Sequence, residues 1–368
     1  MNSRSSIFIY STILFCSFFS INSLPINPVY IIGFIMLACV AGVSCLRGKL
    51  NKFSLVVILF SLLILISQII GIISESNVNI YPNGVNYLTP ILFFYSMIIC
   101  IGISEYANRI SHTVRVKIYK KMYALLSIFL LIELISRILI SDLSKGFLYA
   151  FKSSLFYFDS NFTGLVIITF FSLFLYLKNN LDLKLKYSKV VLILFSVLTF
   201  SRAVYVTLFA MLYAFRKPAH IKGRSLVVIL STILVFTYMI VRYVVDKSSF
   251  SNIDGSFNSK FYIVNRAIDF YSTQPLSVHL FGIGLGNTEQ LLGIFAHNIF
   301  VTMIIELGFV GSLLFLFFIY YSIKVSNGYA LYLWVPTFIC GISLFSAYSP
   351  FLFVANAIIC AEEKIKRI

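Results

Sequence analysis

Apolar runs of about 20 residues follow one another along the whole chain, and each is long enough to cross the roughly 30 Å hydrocarbon core of a bilayer as a helix. They fall at residues 6–21, 28–46, 53–73, 88–103, 122–140, 161–177, 190–215, 225–243, 298–323 or 308–323, 329–348 and 350–361. The first has the look of a signal-peptide core, but another run follows at once without a small-residue cleavage pattern, so it is read as a retained helix. Of the 368 residues, 60% are hydrophobic and only 11% charged, against about 25% charged in an ordinary globular domain. The pattern predicts an all-α polytopic membrane protein.

The run at 190–215 decides the topology. It spans about 26 residues, roughly 39 Å of helix, which is too long for one span and short for two. Ser201 and Arg202 sit in its middle. Read as a hairpin of two short arms, it gathers most Lys and Arg into loops on one side, as short cytoplasmic loops do. Read as one helix, it weakens that asymmetry and strands Arg202 in the membrane. The hairpin gives about twelve transmembrane helices, both termini cytoplasmic, and one long outer loop at 244–297. The net charge of +16 is then a topology signal, and nucleic-acid binding has no support.

Several polar residues are left over by this scheme. Arg202, in TFSRAVYV, lies at the hairpin tip; a guanidinium there either meets an anionic partner or reaches outer water and lipid phosphates. Lys260 and Arg266 share the outer loop. Six residues apart is about 600° of helix, so on a regular helix one faces a site and the other water, or both are solvated. FGIGLGN carries Gly282, Gly284 and Gly286, whose backbone amides can approach a phosphate, although the spacing is not a dinucleotide fingerprint. His297 stands at the threshold of a helix, either as a satisfied polar residue or as a catalyst. On an unbroken helix Glu306 would point away from it, which makes Glu306 a structural partner. Glu133 and Arg137 form an i, i+4 pair inside the fifth run, read as a mutually neutralised ion pair rather than a substrate contact. The six cysteines lie in or beside apolar runs without metal-ligand spacing. The outer carboxylates Asp246, Asp254, Asp269 and Glu289 show no close pairing, so no divalent metal is called for.

Taken in order, DSNFTG (159–164, with Asn161), TFSRA (199–203), the cation at Lys260, FGIGLGN, and HNIFVTMIIELGFVG (297–311) resemble the successive motifs of the O-antigen polymerase and O-antigen ligase superfamily of bacterial inner membranes. The resemblance covers about 159–315, and its most specific part is His297-Asn298 followed by Glu306-x-Gly308-x-x-Gly311. It divides the chain into N-terminal helices at 1–158 and a motif-bearing part at 159–368. One departure is Lys260, at the loop position where the family has Arg. Lysine there supplies a point charge without a bidentate fork, or Arg266 takes over from another turn.

The resemblance implies a fold of the metal-independent, lipid-linked glycosyltransferase type (GT-C-like), with no cofactor and an active site facing the periplasm. The donor would be an oligosaccharide on undecaprenyl pyrophosphate. Arg202 with Lys260 or Arg266 would stabilise the departing pyrophosphate, helped by Gly284, Gly286 and Asn298, and His297 would act as base or orient the acceptor. Asn161, Glu306, Gly308 and Gly311 would be structural. The polymerase is the leading expectation, with membrane lipids around it and a chain-length regulator as a candidate partner. The ligase, which moves finished polymer onto lipid A core, is the alternative, and a polysaccharide flippase a distant one.

Overall fold

The computed structural model describes residues 3–19, 28–47, 50–76, 84–142, 144, 150–181, 183, 185, 187–215, 255–293, 298–341 and 349–367, with isolated positions between 227 and 239. The expected span at 225–243, parts of the outer loop and His297 lie largely or wholly outside the described residues.

Helices dominate. In chain order they are α1 (Ser3–Phe18), α2 (Pro28–Arg47), α3 (Lys52–Ser76), α4 (Leu88–Ile98), α5 (Ile101–Tyr106) and α6 (His112–Leu139), then α7 (Ser160–Leu181), α8 (Ser188–Val197) and α9 (Arg202–Ala214). A two-residue ribbon, β1 (Ser153–Ser154) with β2 (Phe158–Asp159), leads into α7. The C-terminal part has α10 (Gly255–Ser272), the short α11 (Leu276–Phe281), α12 (Thr288–Leu292) and α13 (Ile299–Val301), a π-turn at Thr302–Leu307, and then α14 (Gly308–Val325), α15 (Leu331–Gly341) and α16 (Pro350–Ile365). Among the described residues, five stretches are long and apolar enough to cross a membrane: Lys52–Ser74, Leu88–Arg109, His112–Leu139, Ser160–Leu181 and Ile299–Val325.

Two helices form the centre. α16 and most of α7 are buried all round and largely apolar, as a helix enclosed by other helices must be. They meet at Phe170 and Phe351, whose rings stack at 3.9 Å. One hydrophobic cluster draws on both halves of the chain.

Around this centre the outer helices turn apolar faces outward. On α3, Leu55, Leu59, Leu62, Ile66 and Ile73 are exposed, while Ser54, Ser61, Ser67 and Gln68 are buried against the bundle. This arrangement would be unstable in water and suits lipid, where serine and glutamine find partners only inside the protein.

The run at 190–215 is indeed two helices. Ser160, at the start of α7, donates to the Thr199 carbonyl at 3.0 Å. Phe215, just past α9, stacks on Tyr332 at 4.5 Å, and the Tyr332 hydroxyl accepts from Asn179 near the other end of α7. The two arms therefore run along α7 in opposite directions, and the chain reverses at 198–201. Phe200 takes φ +54° there, a left-handed conformation that ends a helix sharply.

Helix α6 starts about ten residues before the expected span because its basic first turns are helical too. Arg115 is buried there, its Nε donating to Glu362 at 2.7 Å. The partner lies at the far end of the chain, so local sequence polarity gives no sign of it.

Candidate functional site

Residues 281–293 and 298–311 fold together around Glu306. A π-turn widens the helix at Thr302–Leu307, and Gly308 at φ +65° breaks it. Widening and breaking a helix releases carbonyls from the usual ladder, and in a membrane-embedded site each needs a donor. The glycine loop supplies them: Ile283 N–H donates to the Ile305 carbonyl at 2.9 Å and Gly284 N–H to the Glu306 carbonyl at 3.1 Å.

The Glu306 side chain then gathers the next turn of the loop. Its Oε1 accepts from Gly286 N–H at 3.1 Å, from Thr288 N–H at 3.4 Å and from the Thr288 hydroxyl. The carboxylate is buried, and Oε2 has no hydrogen-bond partner among the described residues. Two backbone amides and one hydroxyl thus converge on a single oxygen of Glu306, which anchors the loop to the π-turn.

This packing requires glycine at two facing positions. A Cβ on Gly282 would lie 2.6 Å from Gly308 N, and one on Gly308 would lie 2.6 Å from the Phe281 carbonyl carbon. Both contacts are with backbone, which has no side-chain route of escape. Gly311 sits one turn further on, where a Cβ would meet Leu307 Cβ at 3.2 Å and Ser67 Oγ at 3.7 Å.

Sequence reasoning missed the third partner, α3. Gln68 is fully buried; its Nε2 donates to the Glu306 carbonyl at 3.1 Å and its Oε1 accepts from Leu285 N–H at 2.7 Å. One amide thus closes the gap between loop and π-turn. Asn287 does the same for the α3–α4 connection, accepting from Asn86 N–H at 2.9 Å and donating to the Ile283 carbonyl at 3.1 Å. A glutamine in a lipid-length apolar run was the available signal, since such a residue needs an internal partner.

The other motif residues sit as follows. Asn298 is buried and caps the next helix, its Oδ1 accepting from Phe300 N–H at 2.8 Å and Val301 N–H at 3.2 Å. Asn161 is in the first turn of α7, its N–H donating to Asp159 Oδ1 at 2.8 Å. Arg202 is the first residue of α9 and is exposed. Lys260 and Arg266 share α10. Arg266 is exposed and its Nε donates to the Tyr262 hydroxyl at 2.9 Å, an interaction that pushes its pKa still higher and keeps it a fixed cation. Lys260 belongs to the same helix. The opposite-faces argument for His297 and Glu306 assumed an unbroken helix; the helix here begins at Ile299 and is interrupted by the π-turn, so that premise does not hold.

Two of these regions reach the same end of the bundle. Phe215 lies by Tyr332, so α9 runs antiparallel to its counterpart and its Arg202 end lies towards Gly341 at the end of α15. A Cβ on Gly341 would be 3.2 Å from Ile299 Cβ, next to Asn298. The Ser160 end of α7 is there as well, through Thr199. Among the described residues no group of three or more His, Cys, Asp or Glu side chains is arranged to hold a metal ion. Compared with known proteins, the chain matches no family model and no curated relative.

Proposed function

We propose that the chain is an O-antigen polymerase, a metal-independent glycosyltransferase of the bacterial inner membrane with about twelve spans, both termini in the cytoplasm and its active site towards the periplasm. It would join oligosaccharide repeat units carried on undecaprenyl pyrophosphate. The observation that supports this reading is the convergence at one end of the bundle of stretches far apart in sequence: the start of α7, the turn carrying Arg202, and the Asn298 end of the helix that leads to Glu306 and its glycine loop.

In the proposed reaction a hydroxyl oxygen of the acceptor unit bonds to the anomeric carbon of the growing chain. The bond from that carbon to the pyrophosphate oxygen breaks, and the proton of the hydroxyl passes to a base. Negative charge grows on the pyrophosphate as it leaves, so cations fixed in advance stabilise the transition state more than the ground state. Arg202 is assigned that task together with Lys260 or Arg266, and His297 is assigned the proton or the orientation of the acceptor. Gly284 and Gly286 act in this reading by shaping the loop around Glu306, with Gly308 and Gly311 permitting the close packing.

The test is a lipopolysaccharide gel of a deletion strain complemented with the wild type, Arg202→Ala or His297→Ala. Core bearing a single repeat unit in the deletion strain and in both variants is the expected result. Bare core with long polymer retained on the lipid carrier would instead assign the ligase reaction, which uses the same donor. Full ladders from either variant at normal protein level would remove that residue from the site.

A further inference from the structure

The ion pair on α6 does more than neutralise itself. Arg137 Nε donates to Glu133 Oε2 at 3.0 Å, both side chains being buried. Neither group stops there. Glu133 Oε1 accepts from Ser154 Oγ on β1 at 2.9 Å and from Thr163 Oγ1 on α7 at 2.8 Å. Arg137 Nη1 donates to the Leu198 carbonyl at 3.0 Å and more distantly to that of Phe151 at 3.4 Å.

Two of these partners adjoin the segment that presents Arg202: Leu198 begins its turn, and the Phe151 ring lies 6.2 Å from that of Phe200. Leu198 is the residue on which α8 ends, Phe200 beyond it is left-handed, and Arg202 opens α9 four residues after Leu198. Ser160 holds the next carbonyl, that of Thr199. The turn is therefore clamped at two consecutive carbonyls, by a guanidinium from α6 and a hydroxyl from α7. Thr163, on α7, is bonded to the same pair through Glu133. A planar guanidinium suits this work because one fork serves a carboxylate and a carbonyl at once, which an ammonium on a flexible stem does not do.

We infer that Glu133 and Arg137 are positioning residues for Arg202: the pair fixes the 198–201 turn and with it the place at which the Arg202 guanidinium enters the site. The inference rests on the reading of Arg202 as a donor-site cation, but its geometric half stands apart from that reading. A pair that serves stability alone can be exchanged for apolar side chains of similar size with little loss of fold. A pair that positions a turn cannot be so exchanged without freeing the Leu198 carbonyl.

The double variant Glu133→Leu/Arg137→Met separates the two. Its unfolding midpoint in detergent should fall, because the Leu198 carbonyl and the Ser154 and Thr163 hydroxyls lose their partners, and the protein that remains folded should lose the polymer ladder by about tenfold or more in chain-extended product, the scale on which small misplacements of catalytic groups act. In an Arg202→Cys background the same exchange should change severalfold the rate at which a membrane-impermeant maleimide labels position 202, read by peptide mass spectrometry. A control cysteine at exposed Leu276 should label at an unchanged rate. Wild-type ladders with unchanged labelling at 202 would overturn the inference. If the double variant does not reach the membrane, Arg137→Lys, which retains the charge opposite Glu133 without the fork, must show the same labelling change, and an unchanged rate there is equally fatal. Altered labelling in a protein whose wild type builds no ladder would uphold the positioning role and reject the polymerase reading.

Discussion

The two ends of the helix bundle treat buried charge differently. At the end away from the motifs, Glu362 on α16 receives Arg115 through two bonds, at 2.7 and 2.9 Å, and the Tyr119 hydroxyl at 2.8 Å, and Tyr119 in turn meets Tyr10 on α1 at 2.7 Å. Its neighbour Glu363 takes Tyr176 at 2.8 Å and Lys366 at 2.7 Å. These bonds join side chain to side chain and lace α1, α6, α7 and α16, while Arg115 Nη1 also donates to the Ala107 and Ile110 carbonyls. At the motif end side-chain bonds join Glu133 to Arg137, Ser154 and Thr163, and a larger share runs to irregular backbone: Arg137 to a turn carbonyl, Glu306 to loop amides, and Gln68 to one carbonyl and one amide. The first pattern ties helices together. The second shapes short irregular segments, which in a membrane persist only where the protein satisfies their polar groups.

That contrast is sharpened or broken by substitution, beginning where the effect is largest. Glu362→Ala leaves Arg115 buried without its carboxylate and should cost about 3–5 kcal/mol, seen as a lowered unfolding midpoint in detergent, with near-normal activity per folded molecule. Gly308→Ala places a methyl against backbone at a left-handed position, a strain of about 1–3 kcal/mol. It should abolish ladder formation at moderately reduced protein level. Glu306→Ala withdraws the shared acceptor from Gly286 and Thr288, and buried donors left unsatisfied cost about 1–3 kcal/mol. Faster proteolysis within 284–293 would report the loosened loop, and Glu306→Gln, which keeps an acceptor oxygen, should restore protection. Arg266→Ala is the smallest change: an exposed side chain on α10 whose loss should leave the midpoint where it is. A motif-end substitution that behaved like Glu362→Ala, costing stability and no activity per molecule, would erase the distinction.

Much of this was legible in the sequence. The apolar runs announce spans because a bilayer imposes one length on them, and Ser201-Arg202 marks a reversal because a guanidinium cannot remain at mid-membrane without a partner. The i, i+4 spacing of Glu133 and Arg137 gives their ion pair directly. What they hold could not be read, since Leu198, Ser154 and Thr163 come from three separate segments. The glycines of FGIGLGN and Gly308 were conspicuous singly, yet the demand that Gly282 and Gly308 face each other is a fact of the fold alone. Gln68 was passed over because it interrupts an apolar run by a single residue, and its two partners are more than 200 positions away. The early start of α6 has the same cause, Arg115 finding its carboxylate near the other end of the chain.

The most direct test of the account is chain extension by the purified protein in vesicles, supplied with an undecaprenyl-pyrophosphate-linked repeat unit and a metal chelator. The wild type should build a ladder of lipid-linked oligomers, and Arg202→Ala, with an unchanged unfolding midpoint, should leave the substrate as single units. A ladder from Arg202→Ala equal to that of the wild type, or no ladder from folded wild-type protein, would contradict the assignment of the motif end as the site of glycosyl transfer.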